Sequence, residues 1–158
     1  MESNERTTSF YRFEDLRVYA KAVDYSRWVM ANMREASTKA EKELTKSFVG
    51  SAFAIGLNIA EGSSRNKAQF EHYLKISKSA IRECVVFTEI ANKTGMLAEE
   101  GYEASRNSLM ELTRMIGALI ISLQHGSRRH RDSETQADID NNDSPNDDVD
   151  DFDIDTNF

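Results

Sequence analysis

Proline occurs once in the 158 residues, cysteine once and glycine seven times. β-Sandwiches and barrels need many tight turns built from Gly, Pro, Asn and Asp. Before residue 126 the chain has too few of these for a series of short strands, but enough for a few helix connections. The lone Cys84 excludes an intrachain disulfide framework and fits a reducing compartment. No apolar run reaches the ~20 residues that span a bilayer. Met1 to Thr8 is polar and lacks the apolar stretch of a secretory leader, so the cytoplasm is the expected location. Catalytic motifs are missing as well: there is no Gly-rich phosphate loop, no His-Glu-x-x-His, no Cys pair and no nucleophile elbow. His72, His125 and His130 do not have a metal-ligand spacing, so no enzyme, metal site or cofactor is expected.

The charge is unevenly placed. Residues 132–158 hold ten Asp and one Glu with no Lys or Arg, a charge of -11. Residues 1–131 hold all 20 Lys and Arg against 16 acids, a charge of +4. A weakly basic body therefore carries a strongly acidic tail.

Apolar residues in the body recur at helical spacing. After a frayed segment, 1–9, the pattern predicts a bundle over 10–126 and a disordered acidic tail over 127–158. A first helix, about Phe13–Glu35, carries Leu16, Tyr19, Val23, Met30 and Met33 beside a second stripe of Val18, Ala22, Tyr25 and Val29. Thr38 with Glu41 has capping-box spacing. It opens a helix of about Lys39–Glu61 whose core stripe is Leu44, Phe48, Ala52, Ile55 and Ile59, with Gly62 as a left-handed stop. Asn66 with Gln69 caps a third helix. Its stripe is Phe70, Leu74, Ser77, Ile81, Cys84, Thr88 and Ala91, and Gly95 closes it. Cys84 reads as a buried small hydrophobe. The fourth helix, about Ala98–His125, has the seam Leu109, Leu112, Ile116, Leu119 and Leu123, with Gly126 as its stop. Short connections between four amphipathic helices predict an all-α, up-down-up-down antiparallel bundle. Gly50, Gly56 and Gly117 fall inside helices, either as tolerated residues or as points of close helix approach.

Lys67, Lys75, Lys78 and Arg82 fall within about 80° of one another around the third helix at 100° per residue. Lys39, Lys42 and Lys46 cluster at the start of the second, and Arg17 and Lys21 add a pair on the first. Such faces can track a phosphate backbone, and a solvated helix face is the competing reading.

The run Ala52-Phe53-Ala54-Ile55-Gly56-Leu57-Asn58-Ile59-Ala60-Glu61-Gly62-Ser63-Ser64-Arg65 resembles the Asn-Ile-Ala-Glu-Gly signature of the bacterial intervening-sequence proteins of large-subunit ribosomal RNA. Phe13-Glu14-Asp15-Leu16-Arg17-Val18-Tyr19 resembles that family's opening, with Tyr19 where Trp is usual. Phe70-x-x-Tyr73-Leu74-x-Ile76-Ser77-Lys78-Ser79-Ala80 resembles its third helix. The resemblance covers about residues 10–125. It implies a small bundle, a cyclic homo-oligomer that is typically a pentamer, and an association with RNA. It also implies a distant similarity to the nucleic-acid-binding accessory proteins of diversity-generating retroelements. Asn58, Glu61, Gly62 and Arg65 read either as a device fixing the turn between the second and third helices or as a partner site.

The acidic tail is not a usual part of that family. It ends Asp150-Asp151-Phe152-Asp153-Ile154-Asp155-Thr156-Asn157-Phe158. It is either a solubilising appendage or a peptide ligand anchored by Phe152, Ile154 and Phe158. The spacing of Asp138, Asp140 and Asn142 starts like a calcium loop, but Asp143 and Val149 stand where Gly and a bidentate Glu are needed. Two functions remain: an oligomeric, non-enzymatic module that binds structured RNA through basic helix faces, or a protein–protein scaffold whose tail recruits a partner.

Overall fold

The computed structural model describes residues 10–140, with side chains described over residues 10–126. Four helices follow a 3-10 turn, Arg12–Asp15: α1 Arg17–Asn32, α2 Lys39–Ser63, α3 Lys67–Lys93 and α4 Glu99–Asp140. The chain divides into two units, residues 1–124 and residues 125–158. The first is the bundle. Of the second, the described part is the end of α4 as far as Asp140.

Contacts between neighbouring helices fix the topology. A Cβ at Gly56 would lie 3.6 Å from that of Ala22, and the Ser26 hydroxyl donates to the carbonyl of Ala52, so α1 and α2 run antiparallel. Ser77 donates to Ile55 and Ser51 donates to Glu83, reversing direction again between α2 and α3. Thr88 bonds Ser105 while Gln124 donates to Glu71, so α4 is antiparallel to α3. Tyr25–Ser105 and Lys21–Glu111 close the square between α1 and α4.

Local chemistry explains the connections. The Thr38 hydroxyl accepts from the Glu41 N–H, and the Glu41 carboxylate accepts from the Thr38 N–H, forming the capping box. Glu41 also accepts from the N–H and hydroxyl of Ser37 and from the Arg34 guanidinium at 2.7 Å. The Arg34 N–H in turn donates to the carbonyl of Met96, tying the α1–α2 link to the α3–α4 turn. At the start of α3 the Asn66 carboxamide oxygen accepts from the Gln69 N–H. Gly95 ends the segment after α3 with φ +74°, where a side chain would be strained.

The core holds Phe48, Ile55, Ile59, Leu74, Leu109, Leu112 and Ile116, all at 1% exposure or less. The broad apolar face of α1 splits in two. Val18, Ala22, Tyr25 and Val29 are buried, but Val23 and Met30 are 46% and 60% exposed. A helix lodged against two neighbours can bury only one of two adjacent stripes fully.

Two glycines differ from the sequence reading. Gly62 lies inside α2 rather than beyond its end, and among the described residues Gly95 is the only glycine with positive φ. A Cβ at Gly62 would lie 2.6 Å from the Cβ of Tyr73 and 2.8 Å from Cδ2 of Phe70. Close packing at the α2–α3 crossing therefore requires the glycine. Gly126 does not stop α4, which continues to Asp140. One interior glycine costs only about 1 kcal/mol, and Arg128, Arg129, Arg131, Glu134, Gln136 and Ala137 are adequate helix formers. Residues 127–140, expected to be disordered, are helical. Residues 1–9 and 141–158 lie outside the described residues.

Gly62→Ala is expected to destabilise the protein by about 1–3 kcal/mol through overpacking. Gly50→Ala, which meets nothing within 4 Å, should be neutral or stabilising by up to ~1 kcal/mol. Urea denaturation of the two variants tests the contrast, and equal midpoints would contradict it. Glu41 supplies a pH test. The Ser37 N–H, then the Ser37 hydroxyl, the Thr38 N–H and Arg34 hold its carboxyl down at about 2. Its contribution is complete above the ordinary value near 4.5 and is lost as pH falls toward 2. Glu41→Gln should therefore flatten the loss of thermal stability between pH 4.5 and 2, and an unchanged acid profile would exclude this role.

Candidate nucleic-acid interface

Helix α3 carries Lys67, Lys75, Lys78 and Arg82 in a stripe beside the one, Leu74, Ser77, Ile81 and Cys84, that it commits to the core. Lys67, Lys75 and Arg82 are exposed and Lys78 is half-buried. Lys75 pairs with Glu71 at 2.7 Å, and Glu71 also accepts from Gln124, so its carboxyl lies below its usual range. Further along, Glu89 accepts from Lys93 at 3.0 Å and is likewise lowered. Among the described residues, no carboxylate lies within ion-pairing distance of Lys67, Lys78 or Arg82.

The tertiary fold brings α4 alongside this stripe. Val85 of α3 lines a hollow with Arg106, Leu109, Met110, Thr113 and Arg114 of α4. Lys78 stands two turns before Val85 and Arg82 one turn before it, on the same side of α3. Arg106 and Arg114 therefore join the basic face. The sequence reading missed them because α4 was read for its core seam. The available signal was two arginines eight residues apart, flanking that seam.

The other basic residues are not brought to this face. Lys39 and Lys46 recur at seven-residue spacing with Phe53, which places them on the outer α1–α2 side together with Lys42. Lys21 pairs with Glu111 of α4 at 2.5 Å, and Arg17 lies one turn before it on α1. The nine residues thus fall on three separate faces. At the α2–α3 turn, Arg65 donates to Glu61, with Nε at 3.0 Å. Asn58 takes no part in the turn, since its amide donates back to the carbonyl of Ala54 in α2. Gly62 gives way to Tyr73 and Phe70 of α3, as described above.

A second surface is apolar. Phe53 and Leu57 of α2 are 43% and 68% exposed, next to Val23 of α1. With Phe13, Tyr19 and Ala60 they line a hollow of about 380 Å³. Phe10, Tyr11 and Met30 are exposed as well.

Cys84 faces the core, and burial pushes its thiol up to about 12, which suppresses the reactive thiolate. Among the described residues no cluster of His, Cys, Asp and Glu could hold a metal ion, and no helix is long and apolar enough to cross a membrane. Phe152, Ile154 and Phe158 lie outside the described residues.

Comparison with known proteins places these surfaces in context. Residues 14–118 match the family model for the 23S rRNA-intervening sequence protein. No curated protein matches the chain. Among solved structures, the chain is similar to a protein of unknown function in the S23 ribosomal protein family from Bacteroides thetaiotaomicron. The two share 21% identity and a TM-score of 0.54, over 65% of this chain and 97% of that one. At that identity the likeness shows the fold.

Proposed function

The chain belongs to the 23S rRNA-intervening sequence protein family, and from that premise we propose that it is a non-enzymatic, cytoplasmic homo-oligomer that binds structured RNA through the α3–α4 face. The observation that carries this reading is the gathering of Lys67, Lys75, Lys78 and Arg82 with Arg106 and Arg114 on one side of the bundle. Glu71 and Glu89 sit among them, but each is already engaged by a lysine. Cations so arranged gain affinity by displacing counterions from phosphates, a gain that depends on salt.

The apolar α1–α2 surface supports self-association. Val23, Phe53 and Leu57 are exposed around one apolar hollow with Phe13 and Tyr19, the kind of patch that marks a protein interface. Five is the subunit number implied by the family resemblance.

Both parts can be tested on the full chain. RNA affinity should fall on the order of 10²–10³-fold between 50 and 200 mM salt. Lys78→Glu with Arg82→Glu should lower it further at fixed salt while leaving helix content intact. Affinity indifferent to both salt and charge reversal would rule out the phosphate-contact reading. Light scattering should give a closed multiple of the 18.0 kDa chain, about five. Leu57→Asp should shift that mass toward the monomer, and a wild-type monomer at micromolar concentration would refute the assembly.

A further inference from the structure

Between α3 and α4, the hollow walled by Val85, Leu109, Met110 and Thr113 has a volume of about 220 Å³ and is flanked by Arg106 and Arg114. The two arginines are eight residues apart, or about 12 Å along the helix axis, so the hollow opens between two guanidinium groups. Its floor is apolar: Leu109 is buried, and Met110, 49% exposed, offers a polarisable thioether to any ring laid against it. The Thr113 hydroxyl donates to the carbonyl of Leu109 at 2.8 Å, which leaves its oxygen free to accept from a ligand. Arg106 rests against the ring of Tyr102 at 5.5 Å, which restrains its side chain near one end of the hollow.

We propose that this hollow takes one unpaired nucleobase, stacked on Met110 and Val85, with its flanking phosphates on Arg106 and Arg114. The inference rests on the RNA reading above and narrows it from structured RNA to structured RNA that presents an unpaired segment. Charge complementarity identifies the occupant. Arg82 and Lys78 continue the positive surface beyond the hollow, which suits a polyanion, while the apolar floor suits a flat aromatic ring rather than a phosphate. The bases of an A-form duplex are stacked inside and cannot enter, whereas loops and single strands can splay a base outward.

The test uses the full chain and a 12-nucleotide single-stranded RNA, alone and annealed to its complement, at one fixed salt concentration with binding read by fluorescence anisotropy. The single strand should bind more tightly than the duplex. Met110→Ser should weaken single-strand binding by about two- to tenfold, the worth of one sulfur–ring contact, and leave duplex binding unchanged. Met110→Phe, which keeps a stacking surface, should retain the preference. Circular dichroism and thermal melting verify that each variant is folded. Equal affinity for the two RNAs, or equal weakening of both by Met110→Ser, would overturn the base-pocket assignment while leaving the RNA-binding function standing. Absence of binding to either RNA by the wild-type chain would overturn both.

Discussion

In the middle of the bundle the Tyr25 phenol lies 2.8 Å from the Ser105 hydroxyl, which lies 2.7 Å from that of Thr88. Thr88 gives its proton to the carbonyl of Cys84. Ser105 must therefore donate to Thr88, and Tyr25 to Ser105, so the chain of hydrogen bonds has one direction. All three residues are at 2% exposure or less, and burial holds the phenol protonated, well above its ordinary value. Each hydroxyl left unpaired in such a core costs about 1–3 kcal/mol. A slip or rotation of α1, α3 or α4 would break the chain. An apolar seam alone tolerates such shifts far better. Among the described residues, no buried side-chain nitrogen or oxygen lacks a partner.

Because this chain fixes how three helices are rotated, it also decides what each presents outward. Turning Ser77, Cys84 and Thr88 inward turns Lys78 and Arg82 outward. Placing Ser105 and Leu109 at the centre sets Arg106, Met110 and Arg114 along the border with α3. Fixing Tyr25 inward leaves Val23 and Met30 exposed on α1, and Val23 shares a hollow with Phe53 and Leu57 of α2. The α3–α4 cations and the α1–α2 apolar hollow therefore lie on different sides of the bundle, and the two proposed activities, RNA binding and self-association, do not compete for one face.

Glycine and small side chains set how closely the helices approach. At the α1–α2 crossing, Ala22, Ser26, Ala52 and Gly56 allow a hydroxyl of one helix to reach a backbone carbonyl of the other. At the α2–α3 end the two backbones come so near that Gly62 cannot carry a side chain beside Tyr73 and Phe70. This gives the family signature a physical role, because its glycine is the residue on which the close approach of α2 and α3 depends.

The number of helices, the capping box at Thr38 and Glu41, the Asn66 cap, Gly95 as the close of α3 and nearly all of the core stripes of α2, α3 and α4 were legible in the sequence. These features depend on residues within a few positions of one another, and periodicity and capping chemistry are local properties. The family was legible too, in the run from Asn58 to Gly62. Tertiary structure alone decided the remainder. Whether the Val18 or the Val23 stripe of α1 is buried depends on which neighbours α1 meets. Whether Gly62 stops a helix or admits Tyr73 depends on a partner eleven residues away. Whether Lys46 and Lys78 share a face, and whether Arg106 joins Arg82, depends on how separate helices are rotated against one another. Local sequence carries no record of that rotation, since it is set by hydrogen bonds such as Tyr25–Ser105 that link residues 80 positions apart.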